Sequence, residues 1–150
     1  MTDSAVLQYI VETFADIHIA TAAGNSFLYY APDQKVPERT FPFATLVTKD
    51  DYDTVSNLSR PGVFRLNIGV SKGAFLSHLG SVPPAPGESG AGQMNHDFTV
   101  LDKILPHPIY GHLCWLCVLN PGTSTWETVQ SLLSEAYATA VRKQSKRELA

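Results

Sequence analysis

The clearest alternation of apolar and polar positions along this chain lies in residues 63–70. Phe64, Leu66, Ile68 and Val70 fall on one face of a strand, and Val63, Arg65, Asn67 and Gly69 on the other. Upstream, Ala5, Val6, Tyr9, Ile10 and Phe14 recur at helical spacing, predicting a helix over 4–15 that Ser4 caps. Three short strands follow, over 17–22, 26–30 and 43–48, with the Gly24–Asn25 turn and a proline-bearing loop between them. They predict an antiparallel meander. Residues 49–60 are polar and hold three Asp. Ser71 caps a helix to about Leu79, and residues 97–105 read as a short helix with Leu101, Ile104 and Leu105 inward. The apolar run 113–119 predicts a buried strand. Ser124 and Glu127 form a capping box for a last helix striped by Trp126, Val129, Leu133, Ala136, Tyr137 and Ala140, to about Lys143. Together these elements predict a single α+β domain over residues 1–150, an antiparallel sheet with helices packed against it, ending in a frayed tail at 144–150.

Two segments stand apart. Residues 80–92 hold four Gly and three Pro, so 80–95 is expected to be a flexible loop that could act as a lid. The segment from Pro106 to Gly111 is stiff, because prolines on both sides restrict the backbone of His107.

Charge is unevenly spread. The chain carries eleven basic and fourteen acidic residues, a net of −3, but Arg142, Lys143, Lys146 and Arg147 cluster at the end. Residues 1–141 hold seven basic and thirteen acidic groups, a net of −6, which repels a phosphate backbone. Nucleic-acid binding would therefore have to act through the basic end of the last helix. No secretory signal is visible, and the longest apolar run is far below the ~20 residues of a membrane span. These features predict a cytoplasmic protein without a membrane partner.

The usual catalytic signatures fail. Gly69-Val70-Ser71-Lys72-Gly73 has its Lys on the wrong side of the second Gly for a phosphate loop. Cys114 and Cys117 form one C-x-x-C inside an apolar run, which is half a zinc site and reads as two core residues. His96-Asp97, His107 and His112 have no diagnostic metal spacing, so neither metal nor cofactor is expected. What remains is a polar constellation: Arg65 and Asn67 on one strand face, Lys72 at an open helix start, and His107 and Tyr110 on the stiff loop. It predicts a binding module without catalysis, for a small anionic ligand or an acidic group on a partner. An enzyme with His107 or His112 as acid–base group is the other reading. An apolar patch on a free sheet face would favour a homodimer.

Two blocks of sequence carry a resemblance. The first joins Phe41-Pro42-Phe43-Ala44-Thr45-Leu46-Val47-Thr48 to the segment from Arg60-Pro61-Gly62 through Ser71-Lys72. The second runs from His96-Asp97-Phe98 through Leu105-Pro106-His107-Pro108-Ile109-Tyr110-Gly111 to Trp115-Leu116-Cys117-Val118-Leu119-Asn120-Pro121. Together they resemble an uncharacterised bacterial family, a domain of unknown function seen mostly in actinobacteria, over nearly the whole chain. More distantly, the second half is similar to the MmcQ/YjbR-like superfamily: a proline-bearing loop, a Trp-containing strand, a turn, and a C-terminal helix with Ala136-Tyr137. That resemblance implies a compact α+β domain and carries a DNA-binding label that rests largely on fold.

Overall fold

A computed structural model of the chain describes residues 1–36, 40–85 and 96–149. Its elements in chain order are α1 (Asp3–Thr13), β1 (Ile17–Ala22), β2 (Asn25–Tyr30), β3 (Ala44–Val47), β4 (Arg65–Gly69), α2 (Lys72–Leu79), β5 (Ile104–Pro106), a 3₁₀ turn (Gly111–Leu113), β6 (Trp115–Leu119) and α3 (Trp126–Leu149). The six strands form one antiparallel sheet in the order β1-β2-β3-β4-β6-β5. The protein is thus α+β, and the meander of the first three strands follows the sequence pattern closely.

Strand periodicity divides the sheet into two faces. Leu28, Leu46, Leu66, Ile68, Leu116 and Val118 point toward the helices and join Val6 and Ile10 of α1, Phe75 of α2 and Val129, Leu132, Leu133 and Ala136 of α3 in the main core. An aromatic cluster ties α1 to α3: Phe14 stacks on Tyr137 at 4.7 Å, and the Tyr137 hydroxyl donates to the Ala15 carbonyl at 2.7 Å. Among the described residues no helix is long and apolar enough to cross a membrane.

Several sequence expectations give way to tertiary contacts. Thr2, not Ser4, caps α1, its Oγ1 accepting from the Ala5 amide at 3.1 Å. The helix expected over 97–105 is absent. Asp97 instead accepts from the Thr99 amide in a local turn, and Ile104–Pro106 pairs with β6 as the edge strand. The apolar spacing of Leu101, Ile104 and Leu105 suits a helix, but Leu105 and Ile104 are divided between the two sheet faces, as a strand requires. The strand expected from residue 113 begins at Trp115. The 3₁₀ turn and a left-handed Cys114, with φ 65°, precede it. The tail expected to fray beyond Lys143 continues as helix to Leu149. Residues 86–95 of the expected lid lie outside the described residues.

The start of α3 is held from a distance rather than by the Ser124–Glu127 box. Asp102, itself left-handed at φ 55°, takes the Gly122, Ser124 and Thr125 amides and the Thr125 hydroxyl at 2.6–3.1 Å. Burial pulls this carboxyl up, but the Thr125 hydroxyl and the three amides outweigh it and hold the pKa at about 2. The same contacts anchor the β5 approach to the helix that covers the opposite face. Asp102→Ala is expected to lower stability by about 2 kcal/mol in urea denaturation, with Asp102→Asn recovering part of the loss.

Candidate functional site

The second sheet face is not covered by helices. Phe27 and Tyr29 of β2, Thr45 and Val47 of β3, Arg65 and Asn67 of β4, and Trp115, Cys117 and Leu119 of β6 all belong to it. The register places Phe27 opposite Thr45, Thr45 opposite Asn67, and Asn67 opposite Cys117. Small satellite cores close parts of it: Val47, Leu58 and Leu119 with Val63 in one, Phe98, Leu105 and Cys117 in another. Between them and the β2 side lies a cleft of about 480 Å³. Its walls carry the rings of Phe27, Tyr29, Phe41, Tyr52, Tyr110 and Trp115, and its polar lining includes Thr40, Thr45, Asp53, Arg65, Asn67 and His107.

Arg65 lies under this cleft at 2% exposure. A buried guanidinium must find partners or pay its full desolvation penalty. Asp53, from the polar segment after β3, takes a two-pronged contact from Nη1 and Nη2 at 3.0 and 2.7 Å. Nη1 also donates to the Ser56 hydroxyl at 3.0 Å, and Nε donates to Asn67 Oδ1 at 3.1 Å. Asn67 Nδ2 passes the chain on to Thr45 Oγ1 at 2.9 Å. Burial raises the Asp53 pKa, but the hydrogen bonds and charge of Arg65 outweigh it and hold the carboxyl below its ordinary range. The anion expected to dock on Arg65 is therefore supplied by the protein itself.

His107 is buried, and its ring lines the cleft. The following backbone curls around it, so that the Ile109 and Tyr110 amides both donate to Nδ1, at 3.1 and 3.0 Å. Two donors on Nδ1 require a lone pair there, which places the proton of the neutral ring on Nε2. Nε2 has no hydrogen-bond partner among the described residues. Burial and the nearby Arg65 charge push the His107 pKa down to about 3, against a smaller pull from Asp53. The result is a neutral, fixed N–H donor beside the Arg65–Asp53 pair. Tyr110 stands at the rim, its ring 5.1 Å from that of His107.

Four of the five residues singled out from sequence thus meet at one cleft: Arg65, Asn67, His107 and Tyr110. Lys72 does not. The chain leaves the sheet after Gly69, and α2 turns to the opposite side, where Phe75 enters the main core; Lys72 is exposed there. The helix start it flanks is met by protein groups, Ser71 Oγ accepting from the Ala74 amide and Glu135 of α3 accepting from the Ser71 amide.

The remaining candidates lie elsewhere. His96 packs near Phe98, and His112 sits in the 3₁₀ turn with a buried, unpartnered Nδ1. Among the described residues no three His, Cys, Asp or Glu side chains are grouped to hold a metal ion. Both cysteines are free; Cys114 packs toward the main core and Cys117 toward the other face, where burial pushes its thiol up to about 12. Arg142, Lys143 and Lys146 are exposed on the last turns of α3, which also include Arg147. Sequence reasoning missed Asp53, Ser56 and most of the aromatic wall. Alternation in β2 and β3 could have found Phe27, Tyr29 and Thr45, but nothing local marks Asp53.

Fold and site define a class: an α+β protein with one antiparallel sheet, sealed by helices on one face and carrying an aromatic-walled cleft on the other. Within that class the chain belongs to a family of unknown function, DUF6194, whose match spans residues 1–149. No curated protein and no solved structure matches the chain.

Proposed function

We propose that the protein is a cytoplasmic, non-catalytic binding module whose cleft receives a small molecule with an aromatic head and a carbonyl-type acceptor. The observation that carries this reading is the neutral His107 Nε2–H held beside the Arg65–Asp53 pair in an aromatic-walled cleft of about 480 Å³. Aromatic walls with a few fixed polar groups suit an apolar ligand oriented by one or two hydrogen bonds. Arg65 uses four of its five N–H groups on Asp53, Ser56 and Asn67, which leaves one on Nη2 as a second donor. With the Arg65 charge balanced by Asp53, the head of the ligand needs no charge.

Acid–base catalysis by His107 fits this arrangement poorly. Its Nε2 already carries the proton, and protonating Nδ1 would displace two backbone amides. A distant MmcQ/YjbR-like kinship belongs to the same reading. It is supported by the order of the Pro106–Pro108 loop, the Trp115 strand and the Ala136-Tyr137 helix.

Calorimetric titration with acetophenone, benzamide and ethylbenzene tests the proposal. Acetophenone and benzamide are expected to bind about tenfold more tightly than ethylbenzene, which lacks the acceptor, and His107→Phe is expected to remove that difference. No binding by any of the three, or equal binding by all, would overturn it.

A further inference from the structure

A second cavity, of about 280 Å³, adjoins the cleft. It opens beside α3, between Tyr30, Phe43, Val70, Ala136, Ala140 and Lys143. The two cavities share Thr40, Phe41, Pro42, Leu113 and Trp115 among the described residues, so these side chains form a common wall. Trp115 is central to it. A Cβ at Gly69 would lie 2.9 Å from Cε2 and 3.2 Å from Nε1 of the indole. The absence of a side chain at Gly69 is what lets the ring lie over the end of β4, between the cavities. Phe41 and Leu113, on the same wall, are 85% and 60% exposed. Two large apolar side chains left in water at the junction of two cavities offer a surface that an apolar stem would cover.

The charges differ between the two cavities. In the cleft, Arg65 and Asp53 neutralise each other. In the second cavity Lys143 is the sole charged residue among the described lining residues, and Gln144 lies next to it. Its ammonium is exposed on α3 and carries no ion pair among the described residues.

We infer that the ligand is elongated and amphipathic: an aromatic carbonyl head in the cleft, an apolar stem over Phe41, Leu113 and Trp115, and a terminal acid at Lys143. This rests on the cleft reading above and adds to it the stem and the acid. The acidic group expected from the sequence is thereby assigned to Lys143 rather than Arg65.

The test is calorimetry with 4-acetylphenylalkanoic acids, from the acetic to the octanoic acid, each beside its primary amide. Affinity is expected to rise with stem length, up to about fourfold per methylene, while the stem covers the shared wall. At the length where the carboxylate reaches α3, the acid is expected to exceed its amide by about threefold to fivefold. Lys143→Gln is expected to abolish that preference. Acetophenone binding with no gain from any stem, or an acid preference that survives Lys143→Gln, would overturn this inference and leave the cleft reading standing. Absence of binding by acetophenone and by every acid would overturn both.

Discussion

Asp53→Ala is expected to destabilise the protein by about 3–5 kcal/mol, the loss typical when one partner of a buried ion pair is removed. The reason is asymmetry. Arg65 is 2% exposed and would be left as a largely buried, uncompensated charge when Asp53 is gone, whereas the Asp53 side chain, at 11% exposure, sits nearer the surface. Ser56 and Asn67 would still accept from the guanidinium but cannot balance its charge. For a chain of this length the loss corresponds to a fall in Tm of roughly 10–15 °C. Arg65→Met is expected to cost less, and the double variant Asp53→Ala/Arg65→Met to be more stable than Asp53→Ala alone, because no uncompensated charge remains. Urea denaturation of the two single variants and the double variant reads this directly. A loss below about 1 kcal/mol for Asp53→Ala, or strict additivity, would show that the pair does not hold the cleft together.

The second large effect is on pH dependence. His107 titrates ordinarily near 6.5 and is pushed down to about 3 in the folded protein. Between these values the unfolded chain binds a proton that the folded one refuses, so stability falls as pH drops through this window. The slope is about 1.4 kcal/mol per pH unit, and the full window amounts to roughly 4–5 kcal/mol. Asp53 acts in the same direction, but its stabilisation is lost only as pH falls below the ordinary carboxylate value of 3.8. The interval between about pH 4 and 6.5 therefore isolates His107 from that pair. His107→Asn, whose carbonyl can accept the Ile109 and Tyr110 amides without titrating, is expected to flatten the profile there. Urea melts at pH 7, 5.5 and 4.5 on both proteins test this; an unchanged slope in the variant would place the acid sensitivity elsewhere.

Much of the cleft is legible in the sequence, and the reasons are local. Alternation in β4 put Arg65 and Asn67 on the face opposite Leu66 and Ile68, and two prolines marked His107 as a residue with a preset direction. Lys72 falls outside the cleft, because spacing from Gly69 says nothing about which side of the sheet the chain takes after leaving it. Packing of Phe75 into the main core decides that. The segment 97–105 misled for a related reason. Its apolar spacing fits a helix, but β6 offered an unpaired edge, and pairing with it satisfies the backbone of Ile104–Pro106.

The sequence by itself determined the elements whose signal is periodic and short-range: the meander, the two-faced β4, the apolar stripe of α3, and the stiffness around His107. The tertiary structure alone decided what those elements meet. Asp53 neutralises Arg65 from twelve residues away, Asp102 caps α3 across the end of the sheet, and Trp115 lies over Gly69 between two cavities. The physical reason is that periodicity follows from backbone geometry repeated residue by residue. A buried charge, a helix cap or a cavity wall instead takes its partner from whichever segment the folded chain brings within reach.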